Sequence, residues 1–341
     1  MKYTHLIIGL LIGGIVVFTI SGERHVTSSN AQNSETTTAC TEYPHISDSA
    51  CENPIIKKIP YGYLRYELEK YISAQKEIGA ISDIGIYFRD LNNGPTLGIN
   101  EHFEFVPASM LKVGTLIAYL TKSENDPEIL SKTTTISQDT IERIDFSATQ
   151  NYKPAKVIQA NTQYTVEDLL HYSIVYSDNI ATTILNEYME EDALNGANTL
   201  TETFKSLGVY PDITAEDFTL STKRYAQIFS VLYYSSFLPP EKSEYALTLL
   251  LQTDFQQGIV SGVPKSVPVA HKFGERTIPA HGETEEIRQL HDCGIVYYPE
   301  NPYLLCVMTR GKEYVDLEKT ISTVSDMFYK EVDSRKIYSN E

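Results

Sequence analysis

The stretch Phe105-Val-Pro-Ala-Ser-Met-Leu-Lys112 leads into a long apolar helix and contains the pattern Ser-x-x-Lys. If the helix starts at Ser109, then Ser109 and Lys112 share one face, and the hydroxyl and the amine come within reach of each other. The helix N-terminus adds unpaired N–H groups beside the serine. A serine hydroxyl needs a base, and lysine can serve when desolvation lowers its pKa. The pattern alone is common, because an N-cap serine beside a solvated lysine has the same spacing.

Two distant clusters make an acyl-transfer site the stronger interpretation. Tyr176-Ser-Asp-Asn179 supplies a hydroxyl and an amide, which suit proton relay and the holding of a substrate amide. His271-Lys-Phe-Gly274 lies near the end of a predicted strand, where its lysine can project into a cleft and its glycine permits close approach of a substrate backbone. Each cluster alone is typical of a helix cap or a turn. In this order, the three predict an active site with Ser109 as the nucleophile.

The sequence resembles the penicillin-recognising serine enzymes, specifically their class A β-lactamase-like branch, from about Tyr61 to Val332. The resemblance implies an α+β fold, in which an antiparallel sheet of about five strands is covered by N- and C-terminal helices and carries an inserted all-helical lobe. Besides the three clusters, the resemblance rests on Phe105-Val-Pro-Ala-Ser109, Asp126-Pro-Glu-Ile-Leu130, Thr165-Val-Glu-Asp-Leu-Leu170, Gly294-Ile-Val-Tyr-Tyr-Pro299 and the strand from Tyr303 to Gly311.

The resemblance also implies a role for each residue that carries chemistry. Ser109 would attack a carbonyl, with Lys112 as its base or as an electrostatic activator, two roles that stay open. Ser177 would pass a proton to the leaving nitrogen. Asn179 would orient the substrate and Lys112, and Lys272 would bind a substrate carboxylate.

The oxyanion hole is expected from the third cluster and the nucleophile together. The backbone N–H groups of Ser109 and Glu275 would form it, with Gly274 allowing close approach of the substrate. One such donor is commonly worth about 2.7–4 kcal/mol.

Two departures from the family pattern limit what the resemblance implies. The family's Glu-x-x-Leu-Asn loop, whose glutamate activates the deacylating water, has no counterpart between Gly208 and Ser221; this region offers Asp212, Glu216 and Asp217 as weak candidates. The third cluster has Phe273 and Glu275 where the family usually has a hydroxyl residue and a small residue.

The second departure concerns charge near the substrate. If the Glu275 side chain faces the cleft, it should disfavour a substrate carboxylate. Three arginines are candidates to restore the positive charge: Arg276, Arg288 and Arg310.

Three functions therefore stay open. The first is an exported β-lactamase-like serine hydrolase acting on β-lactams or related amides. The second is a D,D-peptidase or penicillin-binding cell-wall acyl-transferase with slow deacylation, as the missing loop glutamate suggests. The third is a non-catalytic β-lactam-binding or sensing module, against which the complete set of site residues argues.

The net charge argues against one class of partner, and the N-terminal sequence indicates export. The chain has 341 residues and a formal net charge of -17, which argues against nucleic-acid binding. Residues 1–22 contain the apolar run Leu6–Ile20 and read as a signal peptide or membrane anchor, followed by a flexible Ser/Thr-rich stalk over residues 23–58. We expect an extracytoplasmic protein, secreted or anchored through the N-terminal segment. We also expect a monomer, a small peptidoglycan-like or β-lactam substrate, and no cofactor.

The remaining residues, 59–335, are predicted to form one domain. Helical periodicity over Tyr61–Ile78 and strand-like runs at Ile81–Phe88 and Thr96–Ile99 precede the Ser109 helix. A mainly helical lobe over about residues 115–255 follows, with its clearest segments at Val166–Tyr172 and Lys223–Tyr234. Strand character returns at Val267–Phe273, Cys293–Tyr298 and Tyr303–Thr309, before a helix that carries Ile321, Val324, Phe328 and Val332.

The cysteines and histidines give weaker expectations. Cys40 and Cys51 lie in the stalk, where a disulfide is plausible outside the cytoplasm. If Tyr298 faces Tyr303, Cys293 is only diagonal to Cys306, at the edge of disulfide reach, so we expect buried free thiols. The ten-residue spacing of His271, His281 and His291 fits no metal site.

Overall fold

A computed structural model describes residues 61–92, 94–144, 150–193, 199–209, 218–278 and 286–339. The strands are β1 (Asp83–Asp90), β2 (Thr96–Ile99), β3 (Glu104–Phe105), β4 (Thr133–Ile136), β5 (Thr162–Thr165), β6 (Leu220–Ser221), β7 (Val269–Ile278), β8 (Ile287–Val296) and β9 (Tyr303–Gly311). The α-helices are α1 (Gly62–Glu77), α2 (Lys112–Lys122), α3 (Gln138–Ile144), α4 (Val166–Val175), α5 (Asn179–Ala193), α6 (Thr199–Ser206), α7 (Thr222–Tyr233), α8 (Pro240–Leu250) and α9 (Tyr314–Ser339).

The main sheet takes its strands from both ends of the domain. Its order is β2-β1-β9-β8-β7, and every neighbouring pair is antiparallel. The chain leaves the sheet after β2, builds the helical lobe, and returns at β7, which forms one edge. The predicted α+β architecture, with a five-stranded sheet and an inserted lobe, is confirmed.

One face of the sheet packs against the two terminal helices. Helix α9 presents a buried apolar stripe, and the Phe328 ring stacks on Phe88 of β1 with centroids 4.7 Å apart. Each fully buried apolar side chain of this size contributes about 1.5–3 kcal/mol relative to an exposed one. The stripe consists of Leu317, Ile321, Val324, Phe328 and Val332.

The opposite face packs against the helical lobe mainly through α7, and α2 runs through the centre of the lobe. Every residue of α2 from Lys112 to Leu120 is buried, so this helix is surrounded by protein rather than being amphipathic. A Cβ at Gly114 would overlap the Phe204 ring of α6. Glycine therefore lets α6 approach α2 closely, next to the residues that carry the chemistry.

Two predictions about the lobe need correction. The lobe is not all-helical, because β4 and β5 pair as a ribbon through Thr133–Thr165 and Ile136–Thr162, and β6 pairs with β3. β-Branched threonines favour such an extended ribbon. Helix α2 begins at Lys112 rather than at Ser109, since Ala108–Leu111 form a 3-10 turn that leads into it.

The prediction of free thiols at Cys293 and Cys306 is wrong. Strand β8 pairs with β9 through Val296–Tyr303, so Cys293 lies directly opposite Cys306, and the two form a disulfide. The connecting loop, residues 297–302, is longer than the predicted turn at 299–302, so the two strands pair in a different register from the predicted one.

The predicted leader, the stalk with Cys40 and Cys51, and residues 59–60 of the predicted domain lie outside the described residues. In the part of the chain that the structure describes, no helix is both long and apolar enough to cross a membrane.

Candidate active site

Ser109 lies in the 3-10 turn that precedes α2 and is partly exposed. Its neighbour Ala108 has φ +49°, a left-handed conformation that costs a residue other than glycine on the order of 1–3 kcal/mol and persists only where its surroundings enforce it. Gly274 of β7 packs directly under the turn: a Cβ there would lie 2.5 Å from the Pro107 carbonyl oxygen and 2.9 Å from Met110 Cγ. The edge strand of the sheet thus supports the turn by close backbone approach.

Side chains from β8 hold the segment just before this turn. The Val106 N–H donates to Gln289 Oε1 at 3.1 Å, and His291 Nε2 donates to the Val106 carbonyl at 3.1 Å. The Thr309 N–H donates to His291 Nδ1 at 3.2 Å, so the ring is neutral with its proton on Nε2. Burial lowers the pKa of His291 to about 3, which is consistent with this neutral form.

Lys112 is buried at the start of α2 and is bound by the second cluster. Its Nζ donates to the Ser177 carbonyl at 2.6 Å, to Ser177 Oγ at 3.2 Å and to Asn179 Oδ1 at 2.7 Å. Burial lowers the pKa of Lys112 well below its ordinary value, and the positive charge of Lys272 lowers it further. An amine in this environment can exist in the neutral form that accepts a proton.

The second cluster forms the turn between α4 and α5 rather than lying within a helix. Ser177 has φ +55°, a second left-handed residue at the site. Asp178 fixes the turn, because its Oδ1 accepts the N–H groups of Ile180 and Ala181 at 2.8 and 3.2 Å and its Oδ2 accepts that of Ile158 at 2.9 Å. The carboxylate therefore caps α5 and presents Ser177 and Asn179 on one side.

Lys272 approaches Ser177 from β7. Its Nζ donates to Ser177 Oγ at 2.9 Å and to the Phe273 carbonyl at 3.2 Å. Burial lowers the pKa of Lys272 to about 7, and the charge of Asp292 is the largest effect that opposes this shift. Ser177 Oγ is thus hydrogen-bonded to both lysines, an arrangement suited to moving a proton.

Two cavities adjoin Ser109. The smaller, about 260 Å³, is lined by Ser109, Gln150, Ser177, Asn179, Phe273, Glu275, Arg276 and Thr277. The larger, about 400 Å³, is lined by Ala108, Ser109, Leu111, Lys112, Thr115, Asn179, Thr182, Asn186, Phe204 and Glu275. Ser109, Asn179 and Glu275 belong to both, so the nucleophile lies where the cavities meet.

Phe273 and Glu275 occupy different surroundings. The Phe273 ring stacks on Phe255 with centroids 4.1 Å apart and contacts Tyr152 edge-on at 5.8 Å. The Glu275 carboxylate accepts the N–H groups of Tyr152 at 2.8 Å and Asn151 at 3.2 Å. Burial raises the pKa of Glu275, although these N–H groups act in the opposite direction.

Of the three arginines proposed to restore positive charge, only Arg276 lines either of these cavities. Arg288 is bound by Glu286 and by the Lys312 carbonyl, and Arg310 pairs with Asp83 at 3.3 Å. Of the three arginines, Arg276 is therefore the one placed to add positive charge beside Ser109.

The structure brings together Lys112, Ser177, Asn179 and Lys272, and it places Ser109, Gly274 and Glu275 around the same space. The weak deacylation candidates Asp212, Glu216 and Asp217 lie outside the described residues, as does His281. Among the described residues, no group of three or more His, Cys, Asp or Glu side chains is arranged to hold a metal ion.

Several residues that build the site were not identified from the sequence. Gln289 and His291 hold the segment before Ser109, and the backbone of Asn151 and Tyr152 binds Glu275. The predicted strand began at Cys293, whereas β8 begins at Ile287, so the buried Gln289 and His291 were not recognised as strand residues. Nothing in the local sequence of the 150–152 loop indicated its contact with β7.

A family model described as the beta-lactamase enzyme family matches residues 65–332. A protein named beta-lactamase from Streptomyces albus G is 31% identical over 125 residues, which cover 37% of this chain. The chain spans 38% of that relative's length.

Solved structures show the same fold. A beta-lactamase from Chitinophaga pinensis has a TM-score of 0.66 at 18% identity, with 80% of this chain and 100% of that one covered. A mutant of PBP-A, solved as an acyl-enzyme complex with penicillin G, has a TM-score of 0.64 at 22% identity, with 81% and 98% covered. A beta-lactamase from Francisella tularensis has a TM-score of 0.62 at 19% identity, with 79% and 99% covered.

Proposed function

The chain belongs to the beta-lactamase enzyme family, and from that premise we propose that it is an exported serine hydrolase acylated at Ser109 by β-lactams or related amides. The observation that carries the proposal is the pair of buried lysines that bind one hydroxyl: Lys112 and Lys272 both donate to Ser177 Oγ, at 3.2 and 2.9 Å, beside the partly exposed Ser109. The penicillin G acyl-enzyme of the similar fold supports the same chemistry.

In the proposed acylation, neutral Lys112 removes the proton from Ser109 Oγ, which attacks the β-lactam carbonyl. The C–N bond of the ring breaks as the ester forms. The proton passes from Lys112 through Ser177 Oγ to the leaving nitrogen. Because the broken bond lies within the ring, the amine stays attached and the acyl-enzyme forms with no released fragment. Asn179 holds Lys112 in place through its Oδ1.

Two backbone donors complete the proposed site. The N–H groups of Ser109 and Glu275 stabilise the oxyanion of the tetrahedral intermediate, and each contributes about 2.7–4 kcal/mol. The close packing of Gly274 under the Ser109 turn supports this pairing, because it brings β7 next to the nucleophile.

Hydrolysis of the ester requires a water molecule and a base. Whether the site supplies that base separates the first candidate function from a second one. Of the described residues that line the two cavities, Glu275 is the sole carboxylate, and backbone N–H groups occupy it. This observation favours a penicillin-binding acyl-transferase or D,D-peptidase with a long-lived acyl-enzyme.

Export is part of the proposal because of the N-terminal sequence. The apolar run Leu6–Ile20 followed by a polar Ser/Thr-rich segment supports secretion or membrane anchoring. We expect the enzyme to act as a monomer outside the cytoplasm.

The test is to incubate the protein with a fluorescent penicillin and to follow both labelling and its decay, in parallel with Ser109→Ala. We expect covalent labelling that depends on Ser109. Rapid loss of the label with ring-opened product indicates a β-lactamase, and a label that persists after the free compound is removed indicates the second candidate.

The Ser109→Ala protein is the matched control, since it keeps the two lysines and the cavity. Equal labelling of both proteins would contradict the proposal. Absence of labelling and of hydrolysis in the native protein would support a non-catalytic module instead.

A further inference from the structure

Glu275 lies where the two cavities beside Ser109 meet, and it lines both of them. Among the described lining residues, no other side chain carries a negative charge. The residue follows Gly274, whose backbone packs under the Ser109 turn. A charge at this point is therefore close to the carbonyl that Ser109 would attack.

The carboxylate is fixed rather than free to turn away. Its two oxygens accept the N–H groups of Tyr152 and Asn151 from the loop that also contributes Gln150 to the smaller cavity. The loop is itself anchored, because the Tyr152 hydroxyl donates to Glu318 of α9 at 2.5 Å. A substrate entering this cavity meets a negative charge held at a set position.

The charge of Glu275 also reaches the catalytic lysines. It raises the pKa values of both Lys112 and Lys272, in opposition to the effect of burial. The same negative charge acts unfavourably on an anionic group that binds near Glu275.

From these contacts we infer that Glu275 determines charge specificity: the site favours β-lactams or related amides that carry no carboxylate beside the scissile bond. The inference rests on the proposed function and narrows its substrate class. A substrate carboxylate in either cavity would lie near the fixed carboxylate of Glu275, and the like charge opposes its binding. A substrate whose group at this position is neutral avoids that repulsion.

The experiment compares benzylpenicillin with its methyl ester, which differ in one negative charge. The acylation rate constant is measured for each compound by mass spectrometry of the adduct, or by ring opening if the adduct turns over. We expect Glu275→Gln to raise the acid-to-ester rate ratio about tenfold, because the substitution removes a like charge near the carboxylate. The ratio within one protein cancels any difference in the folded fraction.

Glu124→Gln is the matched control, because it makes the same change in net charge at an exposed position beyond the far end of α2. Its acid-to-ester ratio should equal that of the native protein. Thermal unfolding of both variants checks that the 150–152 loop contact is not needed for folding.

The outcomes separate the two proposals. An unchanged ratio in Glu275→Gln, or equal changes in the rates of acid and ester, would overturn the specificity role and leave Glu275 as a support for the loop. Failure of both compounds to react at Ser109 of the native protein would overturn the proposed function and this inference with it.

Discussion

In the proposed acylation, the protonation of Lys112 and Lys272 decides whether Ser109 can react. Both are buried and both donate to Ser177 Oγ, yet their environments differ. Carboxylates oppose the effect of burial on the pKa of both lysines, but at Lys112 the positive charge of Lys272 lowers the pKa further. This difference supports a division of roles, in which neutral Lys112 accepts a proton and charged Lys272 attracts an anion.

The division predicts how acylation by an anionic penicillin depends on pH. Because the pKa of Lys272 is about 7, the rate should fall as pH rises through that value, approaching about tenfold per unit. Lys272→Met should lower the rate at pH ~6 and remove this decline. The measurement is the second-order rate constant for benzylpenicillin across the pH range.

Lys265→Met serves as the control, since Lys265 is an exposed lysine in the loop before β7. It should keep the native profile. If the decline near neutral pH persists in Lys272→Met, another group is responsible for it, and the role given to Lys272 is contradicted.

At the scale of elements, β8 positions the nucleophile without contributing a reacting group. Its Gln289 and His291 side chains bind both polar atoms of the Val106 backbone, and the turn that contains Ser109 follows directly. The Tyr225 hydroxyl of α7 binds the Met110 carbonyl at 2.8 Å from the other side. Sheet and lobe therefore both hold the strained turn.

The neutral His291 predicts a specific loss of stability in acid. The histidine binds a proton readily in the unfolded chain, but its pKa is about 3 in the folded protein. The folded state thus binds fewer protons between pH ~3 and ~6.5, and the free energy of unfolding falls as pH falls through this range. The contribution of one such group is up to about 1.4 kcal/mol per pH unit.

His291→Gln removes this group while keeping a side chain that can donate and accept. In denaturant unfolding at several pH values, the free energy of unfolding of the variant should fall less steeply as pH falls. The slope should correspond to about one proton fewer taken up on unfolding. An identical pH dependence in both proteins would show that His291 is not the group responsible.

The elements also show why local sequence leaves register and helix starts undetermined. Strand identities were predictable from apolar runs, but the pairing of Cys293 with Cys306 depends on where the loop at 297–302 begins and ends, which local sequence does not define. Likewise, Ser-x-x-Lys keeps its spacing whether the helix starts at Ser109 or at Lys112. The 3-10 turn packs against Gly274, which is distant in sequence.

At the scale of the whole molecule, the sequence was sufficient to group the residues of the candidate site, because the chemistry requires several distant residues together. Lys112, Ser177, Asn179 and Lys272 were grouped from their order along the chain, and the structure places their side chains in contact. The bonds from β8 to Val106 and from Glu275 to the 150–152 loop were not predictable, because each joins a side chain to backbone remote in sequence.

The most direct test of the central claim is peptide mapping by mass spectrometry after a brief reaction with benzylpenicillin and an acid quench. β-Lactam opening releases no fragment, so the peptide that contains Ser109 should gain the mass of one whole benzylpenicillin, and Ser109→Ala should gain none. A benzylpenicillin adduct on another residue, or one that Ser109→Ala retains, would contradict the account.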